Sequence, residues 1–140
     1  VAWIGYFNKD DFRVIPNFFK KILAGDKIEV YEPGTQTRTF CFYSDFIIGT
    51  LLVLLKGKDI LYHVGNSDNE ISMIDLANKV AKICNKPELV SLVRTPLVYK
   101  TEPKRRCPSI AKVHQELGYS PQVNIDQMLY KIYQWCKATY

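Results

Sequence analysis

The chain has 140 residues, 47% of them hydrophobic and 13% aromatic, with 19 Lys and Arg against 14 Asp and Glu for a net charge of +5. That is enough apolar material for one domain core, and the sign of the charge suits anionic partners without singling out nucleic acid. No run approaches the roughly 20 apolar residues of a membrane span and the opening has none of the parts of a signal peptide, so a cytoplasmic protein with no membrane contact is the expectation.

The run Val1 to Tyr6 reads as the interior of a strand, which implies a chain that starts in mid-structure. Val14 to Ala24 places apolar residues at helical spacing, with Pro16 tolerated near the start and Gly25 as the stop. Ile28 to Tyr31 and Arg38 to Tyr43 read as strands on either side of a Pro33-Gly34 turn. Ser44 or Asp45 is then expected to cap a buried helix running to about Leu55, and Ile60 to Val64 to form a further strand that ends at Gly65-Asn66. Ser72 with Asp75 makes a capping box for a helix whose apolar face is Ile74, Leu76, Ala77, Val80, Ala81, Ile83 and Cys84, ended by Pro87. Leu89 to Val93 is expected as strand and Thr95 to Cys107 as a basic loop. Ser109 opens a short helix stopped by Gly118, and Asn124 with Gln127 opens a last helix that turns Ile125, Met128, Leu129, Ile132, Tyr133 and Cys136 inward. This order is mixed α/β and lacks the regular alternation of a complete doubly wound sheet.

The four cysteines, Cys41, Cys84, Cys107 and Cys136, lie more than 20 residues apart with no C-x-x-C pair, so they read as reduced thiols rather than as metal ligands. His63 and His114 lack a neighbouring carboxylate or cysteine pattern and read as structural. Neither G-x-G-x-x-G nor a P-loop nor a nucleophile motif occurs. No catalytic residue is therefore assigned, and binding is the expected role. Arg38 at a strand mouth is suited to phosphate, because the planar fork donates paired hydrogen bonds and its charge does not titrate. Arg38, Gly65-Asn66 and the Arg105-Arg106 loop can lie together at one end of a sheet.

Several short motifs follow one another in a telling order: Arg13-Val14-Ile15-Pro16-Asn17-Phe18; Val30-Tyr31 with Gln36-Thr37-Arg38-Thr39-Phe40; Tyr43-Ser44-Asp45; Val64-Gly65-Asn66; Arg105-Arg106 with Pro108-Ser109-Ile110; and Leu117-Gly118-Tyr119-Ser120-Pro121. The sequence thereby resembles the C-terminal half of extended short-chain dehydrogenase/reductase enzymes acting on nucleotide sugars, with the UDP-glucuronate decarboxylase and dTDP-glucose 4,6-dehydratase branch nearest. The resemblance implies an α/β C-terminal fragment of an extended Rossmann-type enzyme, a mixed small sheet with packed helices, in which residues 1–140 form one substrate-binding region without the N-terminal NAD-binding domain. It further implies that Arg38 and Arg106 pair with the diphosphate of a UDP- or dTDP-sugar. Tyr31 and the backbone near Val30 would contact the base, Gln36 would reach the ribose or phosphate, and Asn17 would help to close the pocket. NAD would serve the parent enzyme, a homodimer in its full form, but would not bind this chain alone. The family's Tyr-x-x-x-Lys pair is missing: Tyr133 and Lys137 have the spacing but lie in an amphipathic terminal helix.

Departures from the family pattern include Glu32, which stands where glycine is usual and would weaken anion binding if it faced the phosphate. The alternative reading is a stand-alone nucleotide or nucleotide-sugar binding module without redox chemistry. A nucleic-acid binder is set aside, since the aromatic residues alternate as core rather than line a basic stripe.

Overall fold

The computed structural model describes residues 13–97 and 101–139. The strand expected over residues 1–6 lies outside them. Helix α1 (Val14–Ala24) follows the apolar spacing and stops at Gly25, whose φ of 85° is the left-handed conformation that glycine adopts without steric cost. Strand β1 (Ile28–Tyr31) runs parallel to β4 (Val90–Val93), and between them in sequence stands α3 (Met73–Ile83). Ser72 caps α3 by accepting from Asp75 N at 3.1 Å. The last helix, α5 (Ile125–Thr139), opens with reciprocal bonds: Gln127 N donates to Asn124 Oδ1 at 2.9 Å and Asn124 N to Gln127 Oε1 at 3.2 Å. Both predicted helix starts are therefore capped by the residues expected.

Helices α1, α3 and α5 close over β1 and bury Phe19, Ile22, Ile28, Leu76, Val80, Met128, Leu129 and Cys136 completely. Cys41 and Cys136 are buried and all four cysteines are free, with burial pushing the Cys136 thiol up to about 12. Tyr133 packs against the core and its ring lies 5.6 Å from Lys137 Nζ, a packing arrangement at the surface end of α5.

A second sheet is built from three short strands in the order β3-β2-β5: β2 (Thr37–Thr39) pairs antiparallel with β3 (Glu70–Ser72) and parallel with β5 (Arg105–Arg106). Three expectations change here. The strand expected from Arg38 to Tyr43 ends at Thr39, because Tyr43 already begins α2 (Tyr43–Lys56). Ile60 to Val64 forms no strand: it has no ladder partner among the described residues and is held by side chains, Tyr62 Oη donating to Glu116 at 2.6 Å and Lys112 Nζ to Leu61 O at 3.2 Å. The strand after it in sequence is β3, which the sequence reading passed over.

The third change concerns α2. Neither Ser44 nor Asp45 caps it; the cap position is Phe42, with no side-chain hydrogen bond. Nor is α2 a buried helix. Asp45 and Gly49 face inward, whereas Ile47, Ile48, Leu51, Leu54 and Leu55 are exposed along one stripe. The spacing of an apolar helix was present, but among the described residues nothing covers this side of it.

What α2 does bury fixes its position. Gly49 meets Val64 and Tyr119 so closely that an added Cβ would overlap Val64 Cγ1 and lie 2.7 Å from Tyr119 Cε2. Asp45 Oδ2 accepts from Val123 N at 2.9 Å, while Asn66 and Asn69 donate from Nδ2 to Val123 O at 3.2 and 3.0 Å. All three of these polar side chains are buried, so the backbone of Val123 is satisfied by groups from two separate parts of the chain, the first turn of α2 and the turn of residues 66–69. Gly49→Ala is expected to cost about 1–3 kcal/mol in urea unfolding by overpacking. Leu54 and Leu55 are 77% and 76% exposed, so replacing both by lysine should change stability by no more than about 0.5 kcal/mol while lowering the fluorescence of a bound hydrophobic dye.

Candidate functional site

The centre of the candidate site is β2, three residues between two partners. Register pairs Thr37 with Arg105 and Arg38 with Arg106. Side chains alternate across a strand and paired residues share a face, so Arg38 and Arg106 emerge together while Thr37 and Arg105 emerge on the other side.

On the first face the two arginines converge on one carboxylate oxygen. Glu102 Oε2 accepts from Arg38 Nη2 at 2.9 Å and from Arg106 Nη2 at 3.0 Å. Arg38 is the more enclosed of the two, with a side chain 18% exposed against 56% for Arg106. Its Nη1 donates to Thr37 O at 2.8 Å and Pro103 O at 2.9 Å, which fixes the plane of the guanidinium.

On the second face Glu70 takes both donors of Arg105, Nε to Oε1 and Nη2 to Oε2, each at 2.8 Å, and Thr37 Oγ1 donates to Glu70 Oε1 at 2.6 Å. The Arg105 fork and the Thr37 hydroxyl hold the Glu70 carboxyl down to about 2, far below its usual 4.5. The adjacent arginines thus have separate partners: Arg105 is locked to Glu70 in the sheet, and Arg106 joins Arg38.

The other predicted residues are placed as follows. Val30 is buried in β1 and Tyr31 ends that strand with its side chain exposed. Tyr31 O accepts from Gly34 N at 2.9 Å and, weakly, from Gln36 Nε2 at 3.5 Å. Gln36 Oε1 is buried with no hydrogen-bond partner among the described residues. The turn between them holds Gly34 at φ 74°, where a Cβ would sit 3.1 Å from Ile74 Cβ and 3.2 Å from Leu92 Cδ2, so only glycine lets the turn lie down on β4 and α3. Asn17 is half-buried in the first turn of α1. Asn66 is not at the arginine pair: it is buried, capping the turn of residues 67–69 by accepting from Asp68 N at 3.1 Å. Gly65 O accepts from Tyr119 Oη at 2.8 Å. His114 Nδ1 lies 2.9 Å from Tyr119 O, in keeping with a structural role.

Sequence reasoning missed both carboxylates. Glu32 was the one singled out, but its backbone N donates to Val93 O at 3.0 Å and the acid standing on the arginines is Glu102. Its signal was a Glu four residues before Arg106 inside an otherwise basic loop. Among the described residues no glycine-rich turn joins a strand to a helix, and the β3 to α3 junction is capped by Ser72. Among the described residues no group of three His, Cys, Asp or Glu could hold a metal, and no helix is long and apolar enough to cross a membrane.

The fold is that of the mixed α/β part of Rossmann-type epimerases and dehydratases of known structure. Over residues 2–65 the sequence matches the NAD dependent epimerase/dehydratase family. It is 37% identical over 124 residues to UDP-glucuronic acid decarboxylase 3 of Arabidopsis thaliana, covering 87% of this chain and 34% of that protein. Identity to UDP-glucuronic acid decarboxylase 1 of Xenopus tropicalis is 29%, over 87% of this chain and 28% of the other. Among solved structures it superposes with a TM-score of 0.82 on a Streptomyces venezuelae dTDP-glucose 4,6-dehydratase with NAD bound, at 26% identity, covering 91% of this chain and 39% of that one. The Bacillus cereus UDP-glucuronic acid 4-epimerase in complex with UDP-glucuronic acid and NAD gives a TM-score of 0.80 at 26% identity, over 92% of this chain and 41% of that one. The kinship and fold class expected from the motifs are borne out, and the chain spans about a third of the length of the curated relatives it matches.

The Glu70 lock carries a pH signature. Its folded pKa is depressed, so its contribution is complete above the unfolded value near 4.5 and is lost as pH falls through about 2. Urea unfolding followed from about pH 5 down to about pH 2 should show a steeper loss of stability in the wild type than in Glu70→Gln.

Proposed function

We propose that this chain is the nucleotide-sugar binding portion of an NAD-dependent nucleotide-sugar epimerase, dehydratase or decarboxylase, and that it grips the nucleoside diphosphate of the substrate. The observation that carries this reading is the meeting of Arg38 and Arg106, 68 positions apart along the chain by subtraction of their numbers, on a single carboxylate oxygen. A diphosphate offers more oxygens and more charge than that carboxylate, in a geometry suited to two guanidinium groups. Tyr31 and the backbone at Val30 are assigned to the base, Gln36 to the ribose or phosphate through its buried Oε1 or its amide, and Asn17 to closing the pocket.

The redox step is assigned to NAD in the complete enzyme, since the sequence here holds no dinucleotide motif and its Tyr-x-x-x-Lys spacing, Tyr133 with Lys137, lies in the amphipathic helix α5. For that enzyme the same reading includes a homodimer in the cytoplasm, with neither nucleic acid nor membrane as partner. The exposed apolar stripe of α2 supports a part of a larger assembly over the stand-alone binding module, since a self-sufficient domain buries such a stripe.

Titration calorimetry of the chain with UDP and with dTDP should show weak binding. Arg38→Ala should weaken it by about 1.5–3 kcal/mol, the worth of a charge-assisted hydrogen bond. Unchanged heats after replacing Arg38 and Arg106 together would overturn the assignment.

A further inference from the structure

The exposed stripe of α2, the buried polar cluster around Val123 and the acid that sits between the arginines have no part of their own in the proposed binding of the ligand. The last of these carries an inference, which rests on the reading of Arg38 and Arg106 as a diphosphate site. We propose that Glu102 is a built-in counter-ion that the ligand must displace, so that this one carboxylate sets the affinity of the arginine pair.

The argument comes from the edges of the guanidinium. A planar guanidinium meets a phosphate or carboxylate bidentately along one of two edges, Nε with Nη2 or Nη1 with Nη2. Both edges include Nη2. In Arg38 that nitrogen donates to Glu102 at 2.9 Å, while Nη1 is tied to the carbonyls of Thr37 and Pro103. In Arg106 the Nη2 donates to the same Glu102 oxygen at 3.0 Å. Each Nη2 has a second N–H for its other edge, so what Glu102 fills is the point between the two arginines at which a single anion would bridge them.

Glu102 is also placed to leave. Its side chain is 42% exposed, and its residue precedes β5 in a stretch with no strand or helix of its own. Exposed ion pairs are individually weak, so an anion with several oxygens competes for the same two donors at small cost. The backbone carbonyls on Arg38 Nη1 remain after Glu102 swings out, which keeps that guanidinium aimed while its charge is uncovered. Glu102 is thus an affinity-setting residue of the site, and its removal should strengthen binding where removal of either arginine weakens it.

The test is titration calorimetry of wild type, Glu102→Gln, Arg38→Ala and the double variant with UDP and with inorganic pyrophosphate, at low and moderate salt. Glu102→Gln should bind UDP about fivefold more tightly than wild type, the equivalent of two weak surface pairs relieved. Its affinity should also fall more steeply with salt, because both guanidinium charges are then uncovered. In the Arg38→Ala background the gain should shrink, since one of the two relieved pairs is already gone. Glu102→Ala serves as the second variant, with urea unfolding to establish that both replacements fold as wild type does. Equal or weaker UDP binding by both Glu102 variants would overturn the proposal and leave the diphosphate reading standing. Failure of every variant and the wild type to bind UDP or pyrophosphate would overturn the diphosphate reading itself.

Discussion

Everything at the candidate site depends on the parallel pairing of β2 with β5, two rungs long. Thr37 N donates to Lys104 O at 2.8 Å and the register sets Arg38 beside Arg106. A slip of one residue would put Arg105, rather than Arg106, on the face of Arg38, because side chains alternate with period two. The Glu70 lock opposes that slip. Glu70 holds Arg105 through two bonds and Thr37 through a third, on the face away from Arg38, so the two arginine partnerships specify one another. A very short ladder gains its specificity from charge and hydrogen bonding where it has too few rungs to gain it from backbone alone.

Behind that ladder stands a buried polar cluster with little tolerance for omission. Asn69 lies immediately before β3, donating to both Phe40 O and Val123 O at 3.0 Å, and so ties the end of β2 to the approach of α5. Asp45 brings the first turn of α2 to the same Val123 through its N–H. Each of these groups would be costly to bury alone, at about 1–3 kcal/mol for an unmet polar group. Together they are satisfied. The three-stranded sheet is thereby held in register with the core formed by α1, α3, α5 and β1, and the arginine pair inherits that rigidity.

The legible parts of this fold were those where a local rule and the tertiary structure agree. Helices α1 and α3 show their apolar face at helical spacing and carry their own stop or cap, Gly25 for one and Ser72 with Asp75 for the other. The reading failed where a segment had the composition of one element and the surroundings of another. Ile60 to Val64 is rich in strand formers yet has no ladder partner among the described residues, while Glu70–Ser72 is a strand because β2 and not its own composition makes it one. Strand β5 has two residues, which is too few for any periodicity, and only pairing reveals that Arg105 and Arg106 point to opposite faces. Helix α2 was legible as a helix and illegible as to burial, since apolar residues on both of its sides cannot say which side will find a partner.

The same distinction explains why the arginines could be singled out from sequence and their carboxylates could not. An arginine beside a turn has a limited set of uses, and its charge at a strand mouth already suggests an anion. A glutamate in a basic loop reads as solubility until the fold brings it within 3.0 Å of two guanidinium groups. Glu70 and Glu102 have the same formal charge and each meets arginine, yet their placements differ in kind. Glu70 engages one guanidinium along a complete edge, with a hydroxyl as a third donor, and so behaves as part of the sheet. Glu102 offers one oxygen to two guanidinium groups and completes an edge with neither. An arrangement that leaves the donors of two cations only half satisfied favours any anion able to satisfy them fully.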